Sequence, residues 1–491
     1  MMRRSSSSSS RNRIGSASAR SLVRSAPIGR IAPHVVGSPG FSPQRPIGLY
    51  ARRLCGPKPP ERPWFTFDSD GFFAFVLIVL TMFASTLGTI GAVAISAMAV
   101  VYTLWRLPQL GEILAPRAFI LVIPIFALLS ILWSQSPVDT LKYSLEFALT
   151  VGVALMFSAA PYPKAVLWGI FLAFAVYTPA AILFGHAVDV GNNGDTALSG
   201  LTQSKNLLGD IAATGALVSL ACFVAGIEDR RPFRAVAALA VAAIEIYVLL
   251  AARSAGALLG MVPAVCAFIF FLALRPARLT MRLITTVFAA LAAALMTVAY
   301  GSSIVADSMA LFDKDPTLTG RTYLWQRAAD FIAEKPALGT GFNAFWVQGN
   351  PDAEGLWRYG GIVERMGFSF HNTLIELLVN IGWIGVFVVT TVAIVSSVLL
   401  LRRVMTRPTL ALCFWMSLLV YEFVRMPVEA IGMAPFAHPT VMLFAGFGAA
   451  LAARRTAEAR AAQRRHPSYR MPMLRPALLQ RSVLRPSRFS A

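Results

Sequence analysis

Charged residues are scarce in this chain: Asp, Glu, Lys and Arg make up 14% of its 491 residues, where soluble domains carry about 25%. With 56% hydrophobic residues, that shortage excludes an ordinary soluble globular protein and indicates a chain that meets lipid along most of its length. Cysteine is scarce too. Cys55 lies in the N-terminal tail and Cys222, Cys266 and Cys413 lie inside apolar segments, so no disulfide framework or metal-ligand spacing is visible. There is no Walker-type glycine loop, no dinucleotide fingerprint, and no Asp-x-Asp or His/Cys cluster suited to metal, which leaves nucleotide-driven and metal-dependent mechanisms without support. No cofactor is expected.

What charge there is sits at the ends. The formal net charge is +20; residues 1–69 hold twelve Lys/Arg against Glu61 and Asp68, and residues 454–491 hold ten against Glu458. The body between them is nearly neutral, so basicity is no sign of nucleic-acid binding. Basic tails beside membrane segments read as cytoplasmic ends attracted to anionic lipid. Neither tail has the apolar periodicity of a folded domain, and the first opens with a run from Ser5 to Ser10, so disorder is expected. The Arg- and Ser-rich start has the composition of a transit peptide, but a poorly constrained bacterial extension or an overlong start-codon assignment is the preferred reading.

Long uncharged runs fill residues 70–453. A span needs roughly 20 apolar residues to cross a bilayer core of about 30 Å. Gly71 to Trp105 is too long for one helix and is read as two, with a turn at Ser85 to Thr89. The further spans are 119–133, 141–158, 165–184, 207–226, 235–252, 256–274, 284–300, 382–401, 410–423 and 441–453. The expected fold is therefore all-α and polytopic, with about 12 transmembrane helices and both termini inside. Charge agrees with that count: the inner loops hold Arg106, Arg117, Lys164, Arg230, Arg231, Arg234, Arg275, Arg278, Arg282, Arg402, Arg403 and Arg407, while the short outer loops hold only Lys142, Lys205, Arg253 and Arg425.

The remaining connection, residues 301–370, falls outside and is longer than a connector requires. Within it, Leu324, Ala328 and Phe331 recur at helical spacing over Arg321 to Glu334. Pro336 ends that helix, and Gly339 and Gly341 make the next turn.

Polar residues on this face are the candidates for chemistry. Arg253 interrupts two spans that scarcely leave the membrane, where an Arg is costly without an anion or a wet cavity; a salt bridge or snorkelling side chain is the bland alternative. Arg321 follows Gly320 at a helix start, where its guanidinium and free backbone N–H groups suit a phosphate. Lys205 and Asn206 open the sixth span, and a lysine there also suits an interface anchor. His371, opening a helix with Asn372 behind it, carries an imidazole able to take a proton from a hydroxyl, against a capping pair as the plain reading. Gly256 and Gly260 give a small-residue face in the eighth span, suited to close helix packing. Asp307, Asp313, Asp315, Glu422 and Glu429 are possible acids or pair partners among which spacing does not choose.

The run Thr319 to Trp325 (Thr-Gly-Arg-Thr-Tyr-Leu-Trp), then Pro336 to Phe342 (Pro-Ala-Leu-Gly-Thr-Gly-Phe), then His371 to Gly382, resembles the O-antigen ligase and polymerase superfamily, in particular its exopolysaccharide-polymerase branch. Gly200 to Asn206 and Ala252 to Ser254 match weaker signatures upstream. The resemblance covers roughly residues 70–453. It implies a GT-C-type glycosyltransferase that works on polyprenyl-diphosphate-linked oligosaccharides at the periplasmic face of the bacterial inner membrane without a metal. Carried over by position, Arg253 and Arg321 would bind the donor diphosphate, Lys205 would support them, Asn206 and Asn372 would belong to the substrate site, and His371 would activate or orient the acceptor hydroxyl. A chain-length regulator and other polysaccharide-assembly proteins are the implied partners. A ligase differs only in its acceptor, the lipid A core. A transporter of lipid-linked sugars is the alternative from another class, disfavoured because no internal repeat is evident.

Overall fold

The computed structural model describes residues 68–189, 196–202, 204–310, 320–363, 365 and 368–451. The basic tails, Thr319 of the first motif, and Asp313 and Asp315 lie outside the described residues.

The architecture is helical, as the composition requires. The helices are α1 (Ser69–Met82), α2 (Ala84–Arg106), α3 (Leu110–Leu114), α4 (Ala118–Leu129), α5 (Pro137–Ser158), α6 (Pro163–Phe184), α7 (Lys205–Glu228), α8 (Pro232–Ala251), α9 (Ala255–Ala273), α10 (Leu279–Ala310), α11 (Arg321–Glu334), α12 (Pro351–Tyr359), α13 (Thr373–Thr406), α14 (Leu410–Arg425) and α15 (His438–Ala449). Eight helical stretches among the described residues are long and apolar enough to cross a membrane; Ala84–Leu132, which joins α2 to α4, is one of them, and α1 is a shorter apolar helix. The expected spans overlap these helices along their described residues, but the eight long stretches do not reach the expected count of twelve. The chain is a multi-pass membrane protein.

Three local features differ from expectation. The connection from 185 to 204 contains a small antiparallel hairpin, β1 (His186–Asp189) with β2 (Thr196–Gly200); Asn193 and Gly194 between them are a hairpin-turn signal in the sequence. Helix α10 runs on to Ala310, past the boundary expected at Tyr300. The first apolar run bends at Phe83, ahead of the expected turn, although it also breaks inside that turn at Gly88, whose φ of 54° and ψ of −131° lie outside the helical region.

Helix α7 forms the centre of the bundle, its side chains buried along most of its length. It runs from the candidate residues at Lys205 to a cluster of charges at its far end. There Lys164 pairs with Glu228 (2.9 Å) and Asp229 (2.8 Å), Arg275 also bonds Glu228, and Arg282 donates to the carbonyl of Met405 (2.8 Å). These are residues assigned to the inner side by charge, gathered at one end of the bundle. Lys205, Arg253, Arg321 and His371 gather at the other.

A smaller core carries the large connection. Leu324, Ala328 and Phe331 are buried as expected, packing with Phe345, Ala353, Leu356, Trp357 and Phe370. Helix α11 stops at Glu334 ahead of Pro336, and the following segment seals a break in α13. At Gly382 the backbone adopts φ 63°, ψ −174°, a conformation essentially restricted to glycine. The groups freed there are taken up by the 336–341 segment: Thr340 N and Gly341 N donate to Val379 O and Asn380 O (both 2.9 Å), and Trp383 N and Ile384 N donate to Pro336 O (2.9 Å) and Ala337 O (3.1 Å). A break between apolar segments persists only if its backbone groups find partners, and this loop supplies them. A Cβ on Gly382 would stand 2.5 Å from the Ala337 carbonyl carbon.

Candidate active site

The chain after α14 turns back through Met426, Pro427 and Val428 and presents Glu429 at the end of the bundle, where five segments meet. From α11, Arg321 donates through Nη1 to Val428 O (2.6 Å) and through Nη2 to Glu429 Oε1 (3.3 Å). From the segment before α13, His371 Nδ1 lies 3.3 Å from Glu429 Oε2. From the first turn of α7, Asn206 Nδ2 donates to Glu429 Oε1 (3.2 Å), and Ser254 of the α8–α9 turn approaches Asn206 Oδ1 at 3.5 Å. Arg253, beside Ser254, is near enough for its charge to act on Lys205.

Glu429 is thus the group that sequence spacing failed to pick out. Its side chain is 16% exposed. Burial works against its negative charge, but the hydrogen bond with the His371 ring and the guanidinium charges of Arg321 and Arg425 outweigh that cost and hold the carboxyl below its ordinary range. It is therefore a carboxylate near neutral pH. By accepting from Nδ1, it leaves Nε2 of His371 as the lone-pair nitrogen.

His371 is held rigidly. It does not begin the helix itself; Asn372 caps α13 by accepting from Ile375 N (3.1 Å), and its Nδ2 donates to Pro427 O (3.0 Å). Both ends of Asn372 are spent on backbone, tying the start of α13 to the Glu429 segment. Thr373 adds a second tie, its N bonding Met426 O (2.8 Å) and its hydroxyl donating to Glu429 O (2.7 Å). Trp325, four residues after Arg321, donates to Phe370 O (2.8 Å), while Glu376 accepts from Phe370 N (2.9 Å) and from Trp346 Nε1 (3.0 Å). Trp325 was visible as the end of the first motif and Glu376 lay inside the third, but neither was marked there as a site residue.

His371 (φ 50°) and Arg253 (φ 48°) both occupy the left-handed region. Non-glycine residues are uncommon there and such strain tends to gather at functional sites. Of Arg321's five N–H groups, the bonds above use two, and its side chain is 20% exposed, so the guanidinium combines a fixed orientation with donors for an anion.

A model of the O-antigen ligase family matches residues 235–390. The exopolysaccharide production protein ExoQ of Rhizobium meliloti (strain 1021) is 32% identical over 338 residues, which cover 67% of this chain and 76% of that relative. This chain belongs to the ExoQ-like O-antigen ligase and polymerase family. The matched family segment contains Arg253, Arg321 and His371, whereas Lys205, Asn206 and Glu429 lie outside it and join the site only through the fold.

Proposed function

We propose that this protein is a glycosyltransferase of the bacterial inner membrane that joins polyprenyl-diphosphate-linked oligosaccharide repeat units into an exopolysaccharide at the periplasmic face. The observation that carries this reading is the meeting of Arg321, His371 and Asn206, remote in sequence, on the one carboxylate of Glu429. Membership of a family with an exopolysaccharide production protein in it supports the same product class. The clustering of inner-assigned cations at the opposite end of the bundle supports the sidedness.

In the proposed reaction, a hydroxyl of the acceptor sugar attacks the anomeric carbon of the donor. Its proton passes to His371 Nε2, while Glu429 steadies the imidazole through Nδ1 and stabilises the cation formed. The bond from the anomeric carbon to the diphosphate oxygen breaks, and its electron pair leaves with the diphosphate. Arg321, Arg253 and Lys205 meet the negative charge that builds there, a preorganised electrostatic contribution that metal ions make in other phosphate chemistry. Asn206 and Asn372 shape the site by holding Glu429 and the start of α13. A chain-length regulator is the proposed partner. Transfer to a lipid A core would use the same donor chemistry with a different acceptor.

The test is to replace Arg321 or His371 with Ala and follow both polymer and lipid-linked repeat unit in cells. Loss of polymer with repeat units collecting on the outer face is expected; collection on the inner face would instead mean a transporter.

A further inference from the structure

Beneath the candidate site lies a second polar cluster that the proposed chemistry does not use. Asp210 of α7 is 2% exposed and Arg425 of α14 is 4% exposed, and the Arg425 guanidinium bonds the Asp210 carboxylate directly. Tyr421 Oη donates to Asp210 Oδ1 (2.8 Å), and His438 Nε2 of α15 lies 3.3 Å from Oδ2. Glu422, fully buried, stands 3.5 Å from the same guanidinium.

The spacing of this cluster matches that of the site above it. Asn206 and Asp210 are four residues apart on α7, one turn along the same face. Arg425 and Glu429 are also four apart, and Glu429 N donates to Arg425 O (2.9 Å), so the helical turn continues past the end of α14. Two cross-links therefore stand one turn apart between the same two elements: Asp210 with Arg425 inside, and Asn206 with Glu429 at the mouth. The small-residue face of α9 follows the same levels. A Cβ on Gly260 would stand 2.8 Å from Arg425 Cγ, and one on Gly256 would be 4.0 Å from Glu429 Oε1.

We propose that Asp210 and Arg425 are a positioning pair that sets the register of α14 on α7 and so delivers Glu429 to Asn206, Arg321 and His371. The inference rests on the reading of Glu429 as part of the glycosyl-transfer centre. A buried ion pair is a poor source of stability, because the cost of dehydrating both charges offsets their attraction. Its distinctive contribution is specificity: apolar ridges tolerate sliding or rotation, whereas a shift of α14 by one residue would strand Asp210 and Arg425 among hydrocarbon groups. Tyr421 bonds the pair from a further direction, and His438 stands against Asp210 from another. Asp210 and Arg425 act through Glu429 and touch no substrate.

The experiment is a double-mutant cycle with the full-length chain in membrane vesicles, supplied with the host's own extracted polyprenyl-diphosphate oligosaccharide. Arg425→Lys, Tyr421→Phe and Gly260→Ala are each made alone and with Glu429→Gln, and thermal melting of each purified variant reports folding. Arg425→Lys is expected to lower kcat at least about tenfold with donor KM changed less than about threefold, and to add almost nothing to Glu429→Gln, since the cost passes through the same group. A purely structural role would give multiplicative losses in the two backgrounds, and that result overturns the proposal. If Arg425→Lys fails to fold, Tyr421→Phe, which removes one hydroxyl, decides by the same criterion. Folded Arg425→Lys and Tyr421→Phe variants with wild-type kcat overturn the positioning role alone, provided Glu429→Gln and His371→Ala are impaired. Wild-type activity in those last two overturns the site and the positioning role together.

Discussion

Replacing Glu429 with Gln changes one atom and preserves volume, yet the hydrogen bonds around it leave the amide no satisfactory orientation. Oε1 receives donors from Asn206 (3.2 Å) and Arg321 (3.3 Å), and Oε2 faces His371 Nδ1 at 3.3 Å. If the amide oxygen serves Asn206 and Arg321, its NH2 points at His371 and forces Nδ1 to accept. The imidazole proton then sits on Nε2, and the nitrogen assigned to take the acceptor proton is blocked. If the amide is flipped, its NH2 opposes two other donors, and the partly buried Arg321 loses its counter-charge. That clash disfavours the flipped amide, so the first orientation prevails and general-base assistance is lost, worth about 10²- to 10⁴-fold in rate, or about 3–5 kcal/mol of barrier. The assay is the initial rate of polymer formation from extracted lipid-linked oligosaccharide in membrane vesicles. The expected result is a fall in kcat of that size with little change in donor KM. A Glu429→Gln variant within about threefold of wild-type kcat would refute the assignment of His371 as base and Glu429 as its partner.

Arg253→Lys retains the charge but not the planar fork, so rate measurements with the same substrate should show most activity lost; full activity would remove Arg253 from the site. Because the Glu429 carboxyl is held below its ordinary range in the folded protein, its contribution to stability is complete above the unfolded value of about 4.3 and disappears as pH falls through the lower folded value. Melting temperatures followed from pH 6 towards pH 3 should therefore show a decline that is smaller in Glu429→Gln. Gly382→Ala combines a side chain at φ 63° with a Cβ 2.5 Å from the Ala337 carbonyl carbon, and thermal or denaturant unfolding should show a loss of about 2–5 kcal/mol. Val363, 89% exposed on the site side, should as Val363→Cys react with an impermeant maleimide added to spheroplasts, whereas Arg230→Cys at the other end should react only after permeabilisation.

Much of the helical framework is readable along the chain because its causes are local. The expected span beginning at Gly382 starts where α13 breaks, and the Leu324, Ala328 and Phe331 stripe is the buried face of α11. Pro336, Gly339 and Gly341 were legible as a turn. Their bonding to the broken helix was not, because the partners lie some forty residues away and meet only when the two backbones pack. Arg425 shows the same limit: its position near a span end suggested an outer cation, but the fold buries it against Asp210.

The sequence by itself determined that this is a multi-pass, all-α membrane protein, and it pointed to Arg253, Arg321 and His371 as candidates for one site. Hydrophobic length, charge bias and helix-breaking residues act over a few turns of chain and can be read there. Only the tertiary structure decided that Glu429, rather than Glu422 seven residues earlier, joins those groups. Two carboxylates with the same chemistry differ in what surrounds them: Glu422 faces inward beside Arg425, while Glu429, one turn past Arg425 at the mouth, receives Asn206, Arg321 and His371. That distinction is one of depth and neighbours, which helix packing creates and linear spacing does not encode.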